Sequence, residues 1–440
     1  MLKDSSKSPI GVGLLGLGNI GVGVFSTLAE QSARLEKRLG RKIIVRRILV
    51  RDLEKPRPVD LHIEQLTTTP ADVLEASDID VVVELIGGIE PAREYMEAAL
   101  QNGKHLVTAN KDVMANYGVE LLRLAGERSL DLFFEASVGG GIPLIGLFRQ
   151  DLAANKITEI HAIINGTTNY ILTRMNQDGV GYEQALTEAQ DRGYAEPDPT
   201  NDVEGHDAAY KLGILASLAF GMQVHPDEIY REGIRGVHSI DFVYARSLGY
   251  TIKLLAIGKA KSDGVEVRVH PTLLPLDFLL SQVSGVENAV RIRGDLVGHA
   301  VFAGRGAGSK PTASAIVADL IDLAHNINAG IHSRVPVRFD GRQAVKHMDG
   351  VQTRYYLRIW VSDKPGVLAQ IANICGDAGI SIAALDQKKV DPQAGIAELV
   401  LLTHEVIESD MQDALQKMSL LDVVDRIDAI LRVEDLEEEI

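Results

Sequence analysis

The stretch Gly16-Leu17-Gly18-Asn19-Ile20-Gly21 directly follows the apolar run Ile10–Leu15. It is a G-x-G-x-x-G pattern at the point where a buried strand would turn into a helix. The first glycine permits the tight turn, the second lets the backbone approach a pyrophosphate, and the third lets the helix pack close to the strand. The helix N-terminus offers free N–H groups to phosphates. The pattern therefore predicts a dinucleotide site at Gly16, Gly18, Asn19, Ile20 and Gly21.

Composition and charge exclude several classes of protein. The chain has 440 residues, a formal net charge of −16 and one cysteine. The length suits two or three domains, and the lack of a Lys/Arg cluster argues against a nucleic-acid partner. The start, Met1–Pro9, is polar, and no run of about 18 apolar residues occurs. We therefore expect neither a signal peptide nor a membrane span, and a cytoplasmic protein.

Strands and helices alternate over the first third of the chain. We predict strands at Ile10–Leu15, Ile43–Val50, Asp80–Ile86, His105–Thr108 and Asp131–Ala136. The predicted helices are Ile20–Leu39 and Ala92–Asn102. This alternation is typical of a doubly wound parallel sheet.

The rest of the chain divides near Gly139 and again near residue 338. A glycine-rich loop, Gly304–Gly308, precedes a helix that Pro311 is expected to open. Residues 338–352 are polar and aperiodic, as in a linker. From residue 353 the pattern is strand, helix, strand, strand, helix, strand, which predicts a small ferredoxin-like domain.

Charged residues at predicted strand ends suggest cofactor contacts. Arg51 follows the second strand, thirty positions after Gly21 (51 − 21 = 30), where an acid about twenty positions on usually holds the ribose of NAD. An arginine there favours a 2′-phosphate, and hence NADP, over NAD; an exposed structural arginine is the alternative. Thr108 and Lys111 end another strand, where a lysine can meet an anion or lie unused on the surface.

Two further stretches could carry chemistry. Glu135, followed by the glycines 139–141, could wrap a small hard cation with oxygen ligands, or the glycines could form a hinge. Asp207 and Lys211 are four residues apart on one helix face, within a loop-to-helix stretch rich in carboxylates. A desolvated lysine beside carboxylates can act as a general acid or base, although a plain helical ion pair has the same spacing.

The chain resembles the homoserine dehydrogenase family over essentially its whole length. The resemblance rests on the glycine pattern at residues 16–21, Thr108-Ala109-Asn110-Lys111, Gly139-Gly140-Gly141-Ile142-Pro143, Asn165–Leu172 and Glu196–Lys211. The third segment resembles an ACT domain, on Asp363-Lys364-Pro365-Gly366-Val367-Leu368. The implied fold is α/β, with a Rossmann-type domain (1–138 and 305–337), an α+β catalytic and dimerisation domain (139–304), a linker (338–352) and a ferredoxin-like ACT domain (353–440).

The resemblance also implies roles for individual residues. The family reduces L-aspartate 4-semialdehyde to L-homoserine with a nicotinamide cofactor, on the way to threonine, methionine and isoleucine. By resemblance Lys211 donates the proton, Lys111 lies beside cofactor and substrate, and Glu196 and Asp207 hold the substrate. Gly193 and Gly308 close on the cofactor. The implied ligands of a monovalent cation, sodium by resemblance, are Glu135, Val138, Gly140 and Ile142.

The last segment is expected to regulate the enzyme. By resemblance Asp363, Gly366 and Val367 bind an amino-acid effector, L-threonine being the expected one. Edge pairing of two such sheets implies a homodimer or homotetramer. Two alternatives remain open on the sequence: an amino-acid sensor without catalysis, and another NAD(P)-dependent hydroxy-acid dehydrogenase. The second would need a catalytic histidine with a carboxylate partner, and none stands out.

Overall fold

The computed structural model describes residues 8–332, 334, 337–341 and 343–435. The polar start Met1–Lys7 and the acidic end 436–440 lie outside these residues. The α-helices are α1 (Asn19–Glu30), α2 (Ser32–Leu39), α3 (Ala71–Leu74), α4 (Ala92–Gln101), α5 (Lys111–Glu127), α6 (Gly166–Asp178), α7 (Tyr182–Asp191), α8 (Thr200–Val203), α9 (His206–Phe220), α10 (Ser239–Ser247), α11 (Ser309–Ala329), α12 (Val367–Asp377) and α13 (Glu408–Ser419).

The strands fall into two large sheets. They are β1 (Ile10–Leu15), β2 (Ile43–Leu49), β3 (Leu66–Thr67), β4 (Val81–Glu84), β5 (His105–Thr108), β6 (Leu132–Phe133), β7 (Ile157–Ile163), β8 (Tyr230–Arg231), β9 (Tyr250–Lys261), β10 (Gly264–Pro275), β11 (Glu287–Gly294), β12 (Gly298–Arg305), β13 (Gln352–Ser362), β14 (Ile382–Asp391), β15 (Ile396–Thr403), β16 (Val406–Ile407) and β17 (Val424–Val433).

The first sheet is parallel and has the order β3-β2-β1-β4-β5-β6. This confirms the predicted doubly wound fold. The order reverses between β1 and β4, so a crevice opens beyond the carboxyl ends of these two strands. The long helix α11 returns late in the chain to pack on α1, and the Ser309 hydroxyl donates to the Asn19 carbonyl at 2.8 Å.

Two predicted elements of this region differ from the structure. The expected helix Ile20–Leu39 is broken at Gln31, whose backbone leaves helical angles (φ −99°, ψ 7°). Leu28 and Leu35 are buried on either side of the break, so the apolar periodicity continues through it. The expected strand Asp131–Ala136 is reduced to β6, because residues 135–137 form a 3₁₀ turn tied to α11 by a bond from the Glu135 amide to Asp319.

The second sheet runs through two parts of the chain, in the order β12-β11-β7-β9-β10-β17-β13-β15-β14. Its last four strands, with α12 and α13, have the ferredoxin-like order and confirm that prediction. The join is a short parallel pairing of β10 with β17, at Thr272–Arg432 and Leu273–Val433. The sequence pattern did not predict this shared sheet.

The expected linker packs against the same sheet. Val345 forms a parallel bridge with Val265, and the Lys346 ammonium pairs with Asp263 at 2.9 Å. Nearby, β13 begins at Gln352. Within the described residues, no helix has the length and apolar character needed to cross a membrane.

Candidate active site

The turn after β1 has the geometry that its three glycines predict. Gly16 has φ +104°, and a Cβ on Gly21 would lie 2.6 Å from the Gly16 carbonyl oxygen. A Cβ on Gly18 would meet no atom within 4 Å, so the backbone there faces open space. Asn19 and Ile20 form the first turn of α1. The turn therefore leaves room for a pyrophosphate at the helix N-terminus.

A buried carboxylate organises the crevice beside this turn. Glu84, at the end of β4, accepts bonds from the Ile86 amide at 2.7 Å and the Thr108 hydroxyl at 2.7 Å. The Thr108 hydroxyl in turn accepts the Asn110 amide, and the Asn110 side chain caps α5. Burial raises the pKa of Glu84, although these hydrogen bonds act in the opposite direction. This chain of bonds fixes the first residue of α5, Lys111, at the crevice.

Arg51 is exposed just beyond β2, on the same side of the sheet as the crevice. Its neighbour Asp52 accepts the Glu54 amide at 2.8 Å, so that carboxylate helps to form the loop. The loop also carries Lys55 and Arg57, and the Arg57 guanidinium donates to the Asp52 carbonyl at 2.5 Å. The loop after β2 thus carries three positive side chains beside the carboxylates of Asp52 and Glu54.

Asp207 joins two lysines from different helices. Lys211 donates to Asp207 Oδ2 at 2.7 Å and to the Ile164 carbonyl at 2.9 Å. Lys111 Nζ lies 3.4 Å from Asp207 Oδ1. Burial raises the pKa of Asp207, but the two lysines outweigh it and the net shift is downward. Burial lowers the pKa of Lys111, and Asp207 and Asp112 reverse that shift, so its ammonium stays charged.

The Asp207 carboxylate has a third partner, Asn165. Asn165, which caps α6, donates from Nδ2 to Asp207 Oδ2 at 2.9 Å and to Asp202 Oδ1 at 2.7 Å. Burial is the main reason that the pKa of Asp202 is raised, and the charge of Asp207 adds to it. Asn165, Asp202 and Glu84 lie within stretches that drew attention in the sequence. Their roles were missed because only the fold shows what they contact.

The loop before α8 completes this side of the crevice. Gly193 has φ +71°, and the Tyr194 carbonyl accepts the Thr167 hydroxyl at 2.7 Å, which fixes the loop to the start of α6. Glu196 is exposed on this loop, outside the group formed by Asp207 and the lysines. Gly308, with φ +125°, caps α11. The structure thus brings Lys111, Asp207 and Lys211 together and leaves Glu196 facing outward.

The glycine loop after Glu135 packs tightly against the start of α11. A Cβ on Gly140 would lie 2.4 Å from the Gly306 carbonyl oxygen. Glu135 accepts three backbone amides, from residues 144, 145 and 146, at 2.6 to 2.8 Å. Burial raises its pKa despite these bonds. Within the described residues, the carbonyls of Val138, Gly140 and Ile142 accept no backbone N–H.

The expected effector turn lies at the start of α12. Gly366 has φ +88° and forms the helix N-cap, and a Cβ there would meet no atom within 4 Å. Asp363 is exposed, and its amide donates to the Gly395 carbonyl at 2.8 Å. Val367 is buried at the first position of the helix. The turn therefore presents a carboxylate and an open backbone on the same loop.

Comparisons with known proteins agree with this arrangement. Family models match at residues 143–321 (homoserine dehydrogenase), 16–135 (its NAD-binding domain) and 355–419 (ACT domain). The homoserine dehydrogenases of Pseudomonas aeruginosa and Neisseria gonorrhoeae are 44% and 43% identical, each covering 97% of this chain and 99% of their own.

Solved structures give the same result. A homoserine dehydrogenase from Thiobacillus denitrificans has a TM-score of 0.91 at 44% identity, covering 97% of this chain and 99% of its own. One from Staphylococcus aureus has a TM-score of 0.79 at 33% identity, with the same coverage. The crevice, its ion-paired lysines and these matches together lead to one conclusion: the chain is a nicotinamide-dependent oxidoreductase with a C-terminal ACT domain, and it belongs to the homoserine dehydrogenase family.

Proposed function

We propose that the protein reduces L-aspartate 4-semialdehyde to L-homoserine, reversibly, with Lys211 as the proton donor. The observation that carries this proposal is the arrangement of the Lys211 ammonium. An ammonium has three N–H donors, and two of them go to Asp207 and the Ile164 carbonyl. Among the described residues the third has no partner, so it could donate to the oxygen of a bound aldehyde. The product would serve threonine, methionine and isoleucine synthesis.

The other residues of the crevice hold the reactants. When bound, the nicotinamide cofactor supplies the hydride. Lys211 would give its proton to the alkoxide as it forms, while the hydrogen bond to Asp207 keeps that lysine oriented. Lys111 would lie beside the cofactor and the substrate. Glu196 is exposed, and its carboxylate would bind the substrate ammonium as the loop from Gly193 and the Gly308 turn close on the cofactor.

A spectrophotometric assay tests this function. Purified protein mixed with NADPH and aspartate semialdehyde should oxidise the cofactor and yield homoserine. A hydroxy-acid dehydrogenase would instead reduce 2-oxo acids, and a sensor protein would oxidise no NADPH with either substrate. Absence of homoserine among the products would reject the proposal.

We also propose that the cofactor is NADP, with NAD as a weaker substitute. Arg51 would pair with the 2′-phosphate, and the nearby Lys55 and Arg57 support a phosphate over a bare ribose. Asp52, the nearby acid that could hold a ribose hydroxyl, already accepts the Glu54 amide with one of its oxygens. A related hyperthermophilic archaeal homoserine dehydrogenase, 29% identical over 72% of this chain, is described in complex with NADPH.

We propose that Glu135 and the carbonyls of Val138, Gly140 and Ile142 hold a monovalent cation, sodium. Their chemistry fits, because these oxygens are hard ligands and the three carbonyls accept no backbone N–H from the described residues. A cation there would also stabilise the charge of buried Glu135. Replacing sodium by choline should reduce activity in the native enzyme, and Glu135→Gln should weaken that response.

We propose that the ACT domain binds L-threonine at Asp363, Gly366 and Val367 and inhibits the enzyme. The open backbone at the α12 N-terminus suits a carboxylate, and Asp363 suits an ammonium. Removing the domain is a poor test, because β17 pairs with β10 and truncation would uncover the catalytic sheet. Asp363→Ala in the full chain should abolish threonine inhibition and preserve basal turnover; inhibition as strong as in the native enzyme would reject this site.

We propose the domain division at residues 138/139, 304/305, 337/338 and 352/353. Packing of α11 on α1 supports assigning residues 305–337 to the nucleotide-binding domain. The sheet shared by β10 and β17 supports close coupling of the last two domains. A homodimer or homotetramer, cytoplasmic localisation and the absence of nucleic-acid and membrane partners complete the proposal.

A further inference from the structure

Asn165 occupies an unusual position between two carboxylates. It is 5% exposed, and its single amide nitrogen donates to both Asp202 and Asp207, at 2.7 and 2.9 Å. Its amide oxygen accepts the Thr168 backbone N–H at 2.8 Å and so caps α6. An amide nitrogen has two hydrogens, and both are therefore committed to the carboxylates. The side chain links the start of α6 to α8 and α9.

The two carboxylates depend on this link because of their surroundings. Asp207 is faced by Lys211 from α9, by Lys111 from α5 and by Asp202 from α8. Lys211 and Asn165 both donate to Asp207 Oδ2, and Lys111 lies near Oδ1. Without the amide, the like charges of Asp202 and Asp207 would lose the donor that they share, and their repulsion would weaken the contact of Asp207 with Lys211.

We propose that Asn165 is a positioning residue for proton transfer: its amide fixes the Asp207 carboxylate so that Oδ2 holds Lys211 and Oδ1 faces Lys111. This inference rests on the proposed role of Lys211. It differs from a purely structural role, because a helix cap needs only the oxygen of Asn165. The nitrogen serves the two carboxylates alone.

The two functions of the side chain can be separated by substitution. Serine and aspartate cap helices about as well as asparagine. Asn165→Ser thus keeps an acceptor for Thr168 and removes both donors, while Asn165→Asp also adds a negative charge. Asn169 is a matched control: it lies one turn further along α6, is 1% exposed, and donates to the Glu287 carbonyl at 3.0 Å.

The expected result combines a rate and a pH profile. Asn165→Ser should lower kcat by about 10- to 100-fold, the effect of losing a hydrogen bond to a charged group, with KM for NADPH little changed. The acid limb of the kcat profile should move up by about one pH unit, since Asp207 loses a donor to its charged form. Asn165→Asp should move it further, and Asn169→Ser should leave it in place.

Two outcomes would overturn the inference. One is an Asn165→Ser enzyme with the native kcat and pH profile. The other is an equal loss of kcat in Asn165→Ser and Asn169→Ser with no movement of either profile, which indicates packing alone.

A Lys211→Ala background separates this inference from the proposed function. In that background, Asn165→Ser should lower kcat by a much smaller factor than it does in the native enzyme, because both changes act on one step. A fully active Lys211→Ala enzyme overturns the proposed proton donor and this inference together. If Lys211→Ala is inactive but Asn165→Ser keeps the native kcat and pH profile, this inference alone is overturned.

Discussion

Two clusters of ion-paired side chains differ in what their charges face. The site cluster (Lys111, Asp207 and Lys211) has side chains 27%, 8% and 13% exposed. The interdomain cluster (Asp241, Arg358 and Glu398) has side chains 0%, 4% and 2% exposed. The first lies at a crevice, whereas the second joins helix α10, in the segment that matches the homoserine dehydrogenase model, to the ACT strands β13 and β15.

The hydrogen bonds of the two clusters differ in the same way. Arg358 donates to Asp241 at 2.7 Å and to Glu398 at 3.2 Å, and the Tyr244 hydroxyl donates to Glu398 at 2.6 Å. Burial lowers the pKa of Arg358, but the hydrogen bond and charge of Asp241 and the bond to Glu398 outweigh it. The side chains of this cluster thus have their hydrogen-bond partners within the protein. The proposed proton donor Lys211, by contrast, has two partners among the described residues and lies at the crevice, so its third N–H could reach a bound ligand.

The largest effect is expected from a substitution that breaks the site cluster. Lys211→Ala should lower kcat by about two to four orders of magnitude, the usual contribution of a general acid. Cofactor affinity, measured by NADPH fluorescence, should barely change. Turnover close to that of the native enzyme would show that another group donates the proton.

Breaking the interdomain cluster should lower the stability of the protein. Arg358→Met leaves Asp241 and Glu398 buried without their cation, which should lower the free energy of unfolding by about 3–5 kcal/mol. Urea denaturation measures this loss. Arg123→Met is the control, because that arginine is 68% exposed in its pair with Glu127 and should matter little. Equal effects of the two substitutions would contradict the assigned role.

A second interdomain contact should make the stability of the protein depend on pH. Glu434 pairs with His161 at 3.3 Å, with Arg268 at 3.0 Å and with Lys259. Burial raises its pKa, but Lys259 and His161 hold it well below its usual value. Its stabilising effect is therefore full above the unfolded pKa of about 4.3 and lost as the pH falls through the folded value.

Glu434→Gln should accordingly cost about 2 kcal/mol at neutral pH. The difference from the native enzyme should shrink as the pH falls below about 4.3, because the carboxyl of the unfolded chain takes up a proton before the carboxyl of the folded chain does. Urea denaturation at several pH values measures it. A difference independent of pH would mean that the charge of Glu434 is not what stabilises the contact.

The smallest expected effect concerns a charge outside both clusters. Arg51 is exposed, so Arg51→Ala should leave stability unchanged. It should raise KM for NADPH about ten-fold or more and leave KM for NADH nearly the same, since only NADPH carries the 2′-phosphate. Steady-state kinetics with both cofactors measures this. An equal rise for both would assign Arg51 a structural role.

The sequence predicted features whose cause is local. The G-x-G-x-x-G turn after β1 needs Gly16 at positive φ and Gly21 without a side chain, and both requirements are visible in six residues. The ferredoxin-like order of the last segment follows from alternating apolar runs. Asp207 and Lys211 share a helix face because they are four residues apart. In each case, neighbours in the chain supply the physical reason.

Only the tertiary structure determined which residues far apart in the sequence are in contact. Lys111 reaches Asp207 from a different helix, and Asn165 links Asp202 to Asp207, because the crevice brings α5, α6, α8 and α9 together. The β10–β17 pairing joins residues 160 positions apart (432 − 272 = 160). Such contacts are formed by backbone hydrogen bonds and buried ion pairs, and neither leaves a periodic signal in the sequence. Periodicity reports which face is buried, whereas the partner on that face is chosen by the packing of the whole chain.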